Sequence, residues 1–489
     1  MRYFLDTGNM TQSLVSFASK EREAYFGLLL VIVRSQKAVP GAIRITASSA
    51  GLKSAAIEIK VNRSINLVSM KPISFLKYSL LFLGLVLLAY CSKENNNNNN
   101  NNGGNTNTVD AQVTVLAADN KQVIQGFGCA TVFAPPNTSA YTSEEFTRLF
   151  GSDNGQVGLN ILRIRVATDN AWRSVELNHA KTVIPLGARI IASPWSPPAN
   201  MKTNNNIIGG SLIPDSGAAY AKYLNDFANY MSANGASLYA VSVQNEPDIS
   251  VNYESCDWSA DAMRNFIKSH GHLLTSTKLM APESFNNNLT YTNTILNDAG
   301  AAANLDIVCG HIYGGGIVEN AVAKSLNKEV WMTEHLDTNT SYTANVNTGV
   351  EIHDCLTKAN FNAYVWWYGK RFYGPIGQDG LVTKRGFVIS QFARFIKPGS
   401  VRLGTSVNTR SEVLISAYKN GSKKIIVAIN TGASDINQKI TVQDATINEV
   451  MPYTTTVSKN AEQGVKIAAA NNSFTHILPP NSVTTFVEQ

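Results

Sequence analysis

The feature that most restricts the fold is an eightfold alternation. Between Ile124 and Gly369 the chain spells eight short apolar or β-branched runs: IQGFGCA, ILRIRVATD, RIIASPW, LYAVSVQNEPD, KLMAPESF, LDIVCGHIYG, EVWMTEHL and NAYVWWYG. Helical periodicity fills the gaps. Tyr220, Tyr223, Leu224, Phe227 and Met231 fall at i, i+3, i+4, i+7 and i+11, one face of a helix. Met263, Phe266, Ile267 and Leu274 repeat the pattern, and Ile389, Phe392, Phe395 and Ile396 do so before the stop at Lys397-Pro398-Gly399. Strands that alternate with helices predict a parallel sheet, and eight such units predict a closed (β/α)8 TIM barrel over residues 125–397, an α/β fold.

Beyond Pro398 the period changes to two. VLISAYKNGSKKIIVAIN reads as two strands around a turn at Asn420-Gly421, and strand-like runs continue to SVTTFVEQ. Ahead of the barrel, residues 110–124 also read as strand. Both ends of the mature chain are therefore expected to share a β-sandwich side domain, residues 110–124 with 398–489.

Residues 1–109 have another character. They hold 12 Lys and Arg against 5 Asp and Glu, whereas residues 110–489 hold 29 against 30. The overall charge of +6 is thus an N-terminal property, and a nucleic-acid partner is not expected of the near-neutral remainder. From Met70 the chain runs MKPISFLKYSLLFLGLVLLAYCSKE, two lysines followed by an apolar run too short to span a bilayer comfortably. Residues 70–91 are read as a signal in which Leu88–Cys91 resembles a bacterial lipobox and Cys91 carries the lipid. Residues 1–69 are read as an over-extended N-terminus. Residues 92–109, with eight asparagines from Asn95 to Asn102, are a polar tether that buries too little apolar surface to order itself. The expectation is an exported monomer, an outer-membrane lipoprotein facing periplasm or medium, that meets the membrane only through this anchor.

Four cysteines remain: Cys129, Cys256, Cys309 and Cys355. They allow three pairings or none, and without a CxxC or a spaced histidine pair no structural metal is expected.

Working residues of such barrels collect at the C-terminal strand ends. Those ends carry Trp195, Asn245, Glu246, His311, Tyr313, Glu334 and Trp367. Glu246 closes the fourth unit and Glu334 the seventh. Two carboxyl groups at one barrel mouth suit cleavage of a glycosidic bond, one protonating the leaving oxygen and the other attacking the anomeric carbon. A separation of about 5 Å means retention of configuration, and a wider gap inversion. The competing arrangement ties both glutamates to Arg163 or Arg165 as rim salt bridges. The chemistry needs carboxyl groups and water, so no cofactor is called for, but it asks one of the two glutamates to start protonated and the other ionised.

QGFG, ASPWSPPANMKTN, SVQNEPD, VWMTEHL and the run from Tyr364 to Gly399 resemble glycoside hydrolase family 30, and within it subfamily 8, the bacterial glucuronoxylan endo-β-1,4-xylanases. The resemblance runs from about Val113 to the C-terminus. It implies a retaining barrel enzyme with a β side domain, Glu246 as acid/base and Glu334 as nucleophile. It further implies Asn245 on the sugar 2-hydroxyl, Trp195 and Trp367 under pyranose rings with Trp172 a further platform, and His311 and Tyr313 near the substrate. Trp366, beside Trp367 on its strand, is expected in the core.

The same likeness gives meaning to VWWYGKRFYGP, Val365–Pro375, where cations and aromatics crowd a strand end. In the subfamily this loop grips the carboxylate of a glucuronic acid branch on xylan. Tyr368, Arg371 and Tyr373 stand in register with that clamp, and an arginine fork suits a carboxylate. The subfamily often has a second arginine where this chain has Lys370, and a larger apolar residue where it has Gly369. The expected substrate is glucuronoxylan. The alternatives are a xylanase indifferent to branches, a β-1,6-glucanase of the same family, and a non-catalytic surface glycan-binding lipoprotein.

Overall fold

A computed structural model describes residues 41–47, 55–61, 108–133 and 141–489. The chain divides into two units, residues 1–104 and 105–489. In the first, strands Gly41–Ala47 and Ala55–Val61 pair antiparallel, with Arg44 opposite Glu58 and Ile45 opposite Ile57. The signal-like segment with Cys91, and nearly all of the asparagine-rich tether, lie outside the described residues. No helix among those described is long and apolar enough to cross a membrane.

In the second unit, eight parallel strands close into a barrel. They are β1 Gly126–Ala130, β2 Ile161–Arg165, β3 Arg189–Ser193, β4 Ala240–Ser242, β5 Lys278–Ser284, β6 Ile307–His311, β7 Glu329–Glu334 and β8 Ala363–Tyr368. Each lies within one of the eight apolar runs. Ile161, Ile191, Ala240, Met280, Ile307, Cys309, Trp331, Ala363 and Val365 form one buried cluster, alternate residues from β2 to β8 that fill the barrel interior. The opposite faces pack on the helices in the largest core, which takes in Tyr220, Leu224, Phe227 and Met231 of helix Gly217–Ala233 and Met263, Phe266 and Ile267 of helix Ala260–His270. Trp366 belongs to this outer core.

The barrel loses its regular register at three strand ends. The pairing shifts between Pro282 and Ser284 on β5, between Met332 and Glu334 on β7, and between Trp366 and Tyr368 on β8. Each shift leaves one extra residue, which bends the strand and re-aims the side chains beyond it. Strict alternation on β7 sends Trp331 inward and Glu334 outward. The shift at Thr333 instead sets Glu334 level with His311 of β6.

The side domain is one ten-stranded mixed sheet that curls around its own core. Strand Ala111–Ile124 lies in its middle, antiparallel to Ser400–Thr405 and parallel to Ile436–Gln443, so both ends of this unit build it. One detail differs from the sequence reading. Asn420 pairs with Lys423 as the last strand residue, so the hairpin turns on Gly421 and Ser422, where Gly421 takes a φ of 59°. The domain is fastened to the barrel by polar bonds such as Gln391 Nε2 to Thr455 Oγ1 at 2.8 Å. Cys129, Cys256, Cys309 and Cys355 are all buried free thiols.

Candidate active site

Arg163 organises the mouth of the barrel. It is fully buried at the C-terminal part of β2, on the inward row begun by Ile161. Its Nη1 donates to Glu334 Oε2 at 2.7 Å, its Nη2 to Asn245 Oδ1 at 2.6 Å, and its Nε to Ser193 Oγ at 3.1 Å. Nη2 also lies 3.1 Å from Glu283 Oε1. The rim salt bridge considered as the competing arrangement thus exists for Glu334 and not for Glu246. Glu334 keeps a second oxygen, Oε1, which accepts from the Tyr313 hydroxyl at 2.9 Å.

Glu246 follows β4, where Pro247 turns the chain away, and it adopts a left-handed backbone with a φ of 44°. Such a conformation is uncommon for a residue with a side chain and marks a place where position matters more than comfort. Its N–H donates to the carbonyl of Glu283 at 3.0 Å, and Glu283 has a φ of 55°. Glu246 Oε1 lies 3.0 Å from His311 Nδ1, and Oε2 lies 3.4 Å from the Tyr253 hydroxyl. Carboxylate oxygens of Glu246 and Glu334 and a ring nitrogen of His311 all fall within 4.8 Å of one another. Both glutamates are buried.

The electrostatics of this cluster are set by burial against ion pairing. Burial alone raises the Glu283 carboxyl, but Arg163, His311 and Ser193 outweigh it and draw it down to about 2. Burial works against a charged His311, yet Glu334, Glu246 and Glu283 raise it to about 9. For Glu334 burial is the largest influence and moves it upward, while His311 and Arg163 oppose. The spacing of Glu246, His311 and Glu334 would admit a metal ion, but the Arg163 guanidinium already takes Glu334 Oε2, and a second cation there meets repulsion.

Trp195 and Trp367 stand above this network, ring centroids 5.8 Å apart and tilted by 42°. The Arg163 guanidinium carbon lies 4.8 Å from the Trp195 ring centre and 5.7 Å from that of Trp367. Trp195 clusters with Phe133, Tyr253, Trp367 and Tyr368 in a small aromatic group. Trp172 sits apart from this pair. It lies in the first turn of helix Asn170–Val183, 5.5 Å from the guanidinium of Arg165, which in turn is paired with Glu254.

In the loop after β8, Arg371 lies over the Tyr368 ring at 4.5 Å and is only half-buried. Among the described residues no carboxylate lies within salt-bridge distance of it. Lys370 turns the other way. Its Nζ is 2.5 Å from Glu145 Oε1 of helix Ser143–Phe150, and its N–H donates to the Tyr141 hydroxyl at 2.9 Å. Gly369 faces inward as well, and a Cβ there would meet Cys129 Sγ at 2.7 Å. Tyr373 borders a cavity of about 240 Å³ with Thr340, Tyr342, Phe372, Arg385 and Val457.

Sequence reasoning did not single out Glu283 or Tyr253. A glutamate in MAPES looks like the polar end of a strand, and only the register shift turns it into the barrel. Glu283 has one usable signal, a carboxylate one residue after a proline inside an apolar strand, where solvated charge is unwelcome.

Residues 143–350 match the Glycosyl hydrolase family 30 TIM-barrel domain, and residues 4–58 match the Glycoside hydrolase family 2 C-terminal domain 5. Glucuronoxylanase XynC of Bacillus subtilis (strain 168) is 36% identical over 392 residues, covering 77% of this chain and 92% of that protein. The glycoside hydrolase family 30 subfamily 8 xylanase Xyn30A from Clostridium acetobutylicum superposes with a TM-score of 0.73 at 37% identity, covering 77% of this chain and 99% of that one. A GH30 endoxylanase from Clostridium papyrosolvens C71 gives 0.71 at 35% identity, over 77% of this chain and 100% of that one. Barrel, side domain and these likenesses agree, and the chain belongs to glycoside hydrolase family 30.

Proposed function

We propose that the protein is a retaining endo-β-1,4-xylanase that cuts glucuronoxylan at positions set by a glucuronate branch. The observation that carries the reading is the approach of Glu246 and Glu334 oxygens to within 4.8 Å at the mouth of one barrel. That spacing leaves room for a single glycosidic bond and suits direct attack better than a water held between the two. In the first step Glu334 attacks the anomeric carbon while Glu246 gives its proton to the departing oxygen. In the second, Glu246 takes a proton from water as that water displaces Glu334 from the sugar. Arg163 and Tyr313 hold the attacking carboxylate in one orientation. Asn245, its carbonyl oxygen occupied by Arg163, has its Nδ2 free to donate to the sugar 2-hydroxyl, a bond that strengthens in the transition state.

Glucuronoxylanase XynC as a relative favours xylan as the polymer. For the branch, the support is Arg371: a guanidinium with no carboxylate partner among the described residues, held over Tyr368 and next to Tyr373. A carboxylated sugar supplies the anion it lacks. The Lys370 and Gly369 differences bear on the far side of the loop, toward Glu145 and Cys129, and leave the Arg371 face alone.

Proton NMR of the first product tests the stereochemistry: the β anomer should appear first, and an initial α anomer would mean inversion. Product mapping on glucuronoxylan should give fragments with the branch at one fixed place from the cut. A uniform ladder would leave a branch-indifferent xylanase, and release from β-1,6-glucan alone would replace xylan as the substrate.

Export through lipidation at Cys91 belongs to the same reading, with the tether holding the barrel off the membrane. Mass spectrometry of the mature protein is expected to find an N-terminal acylated Cys91. A mature chain that retains Leu30 excludes it.

A further inference from the structure

Five charged or chargeable groups are packed at the barrel mouth with almost no access to water. Arg163, Glu283 and His311 are wholly buried, and Glu246 and Glu334 nearly so. Glu283 has an odd place among them. Neither of its oxygens makes a hydrogen bond of good geometry, although Oε1 sits 3.1 Å from Arg163 Nη2 and 3.8 Å from His311 Nε2. It meets Arg163 and His311 chiefly as a charge, with the Ser193 hydroxyl beside it. Its backbone carbonyl, by contrast, anchors the N–H of Glu246.

A buried cluster tolerates little net charge, because each uncompensated charge loses its hydration. Arg163 and His311 supply two cations. Glu334 and Glu283 supply two anions. With Glu334 ionised, as the proposed nucleophile must be, the cluster is neutral only while Glu246 is uncharged. We propose that Glu283 is a positioning residue for the catalytic acid: its negative charge is the one that makes the neutral cluster coincide with a protonated Glu246. This rests on Glu246 being the acid of the proposed reaction. The other groups that face Glu246 are Tyr253, within 3.4 Å of Oε2, and His311, with Tyr313 held on Glu334. Both tyrosines are driven upward by burial and stay neutral over the working range, so they do not alter the count.

Removing the Glu283 charge leaves an excess cation beside Glu246, which then releases its proton at lower pH. Glu283→Gln is expected to move the basic limb of the kcat/KM profile on glucuronoxylan about one pH unit lower. Cleavage of an aryl xylo-oligosaccharide, whose phenol departs without a proton, should show no such shift between parent and variant. Glu283→Asp restores the charge and should restore the parent profile. His311→Asn removes a cation and should move the limb upward, the opposite sign, which gives a reading even if Glu283→Gln does not fold. An unmoved limb in Glu283→Gln, or a limb that moves the same way in both variants, overturns the proposal. Glu246→Gln separates the two levels. Loss of xylan cleavage with aryl cleavage spared keeps Glu246 as the acid whatever Glu283 does, and undiminished xylan cleavage removes the acid assignment itself.

Discussion

The Tyr313 hydroxyl donates to Glu334 Oε1 at 2.9 Å, the oxygen that Arg163 leaves open. Each oxygen of the Glu334 carboxylate therefore has one donor, and burial, which pushes Glu334 toward its neutral form, is opposed from both sides. Tyr313→Phe removes one donor and keeps the ring. A hydrogen bond to a charged group contributes about 1.5–3 kcal/mol, so kcat/KM should fall roughly 10- to 150-fold. Steady-state kinetics on glucuronoxylan check this, and an unchanged rate would mean that Tyr313 has no hold on the proposed nucleophile.

Glu334→Gln tests whether the site is catalytic at all. The amide keeps size and hydrogen-bonding capacity but cannot form the glycosyl ester, and loss of a nucleophile costs on the order of 10⁴-fold or more. Binding to glucuronoxylan should survive and can be followed by affinity electrophoresis. A variant that releases sugar at the parent rate would return the protein to the class of glycan-binding modules.

Two groups at the barrel mouth contribute stability in opposite pH ranges. His311 is raised from 6.5 to about 9, so its contribution is complete below pH 6.5 and is lost as pH rises toward 9. Glu283 is lowered from 4.5 to about 2, so its contribution is complete above pH 4.5 and is lost as pH falls toward 2. Each is on the order of 3 kcal/mol by linkage. Thermal unfolding from pH 2 to 10 should show these two contributions as differences between parent and variant, because buried Glu176, His179 and His353 add slopes of their own between pH 4.5 and 6.5. Glu283→Gln should flatten the acid side, and His311→Asn the alkaline side.

Much of this was legible in advance because the barrel strands advertise themselves. Runs such as ILRIR and AYVWWY, buried on both faces, have no other use in a soluble domain, and all eight barrel strands lie within such runs. The side domain was legible from its change of period. What escaped was local register. Alternation along β5 sends Glu283 outward with Leu279 and Ala281, and only the extra residue at the strand end, with a φ of 55°, brings it against Arg163. No composition or spacing encodes that shift, because it is decided by how neighbouring strands close the barrel. Likewise the choice between Asn420 and Gly421 as the start of the hairpin turn depends on the partner strand and not on the dipeptide alone.

Gly369 illustrates the same point from the other side. Seen in the sequence, it is a gap in the aromatic loop. In space its Cβ direction points at Cys129 Sγ, Leu149 and the Tyr141 hydroxyl, at 2.7, 3.2 and 3.2 Å. Gly369→Leu therefore overpacks a filled core and should cost about 1–3 kcal/mol, read as a lower midpoint in urea. Substrate preference should not change in the surviving folded protein. A stabilised variant would show that the space behind the loop is not filled as described.

Arg371→Ala is the sharpest test of the branch requirement. The guanidinium lies over the Tyr368 ring, and its fork is spent on no carboxylate among the described residues. Losing a charge-assisted, two-point contact costs about 2–3 kcal/mol of binding energy, roughly 30- to 150-fold in kcat/KM, wherever the substrate carries the acid. Unbranched xylo-oligosaccharides never use that contact, so their cleavage should change less than about threefold, within the small packing effect of an uncovered tyrosine. Reducing the glucuronate of the polymer to glucose should cost the parent enzyme as much as the mutation does, and should add nothing to the loss in the variant. Equal losses on branched and unbranched substrates would mean that Arg371 only braces Tyr368, and the position of the cut would then have to be set along the xylan backbone itself.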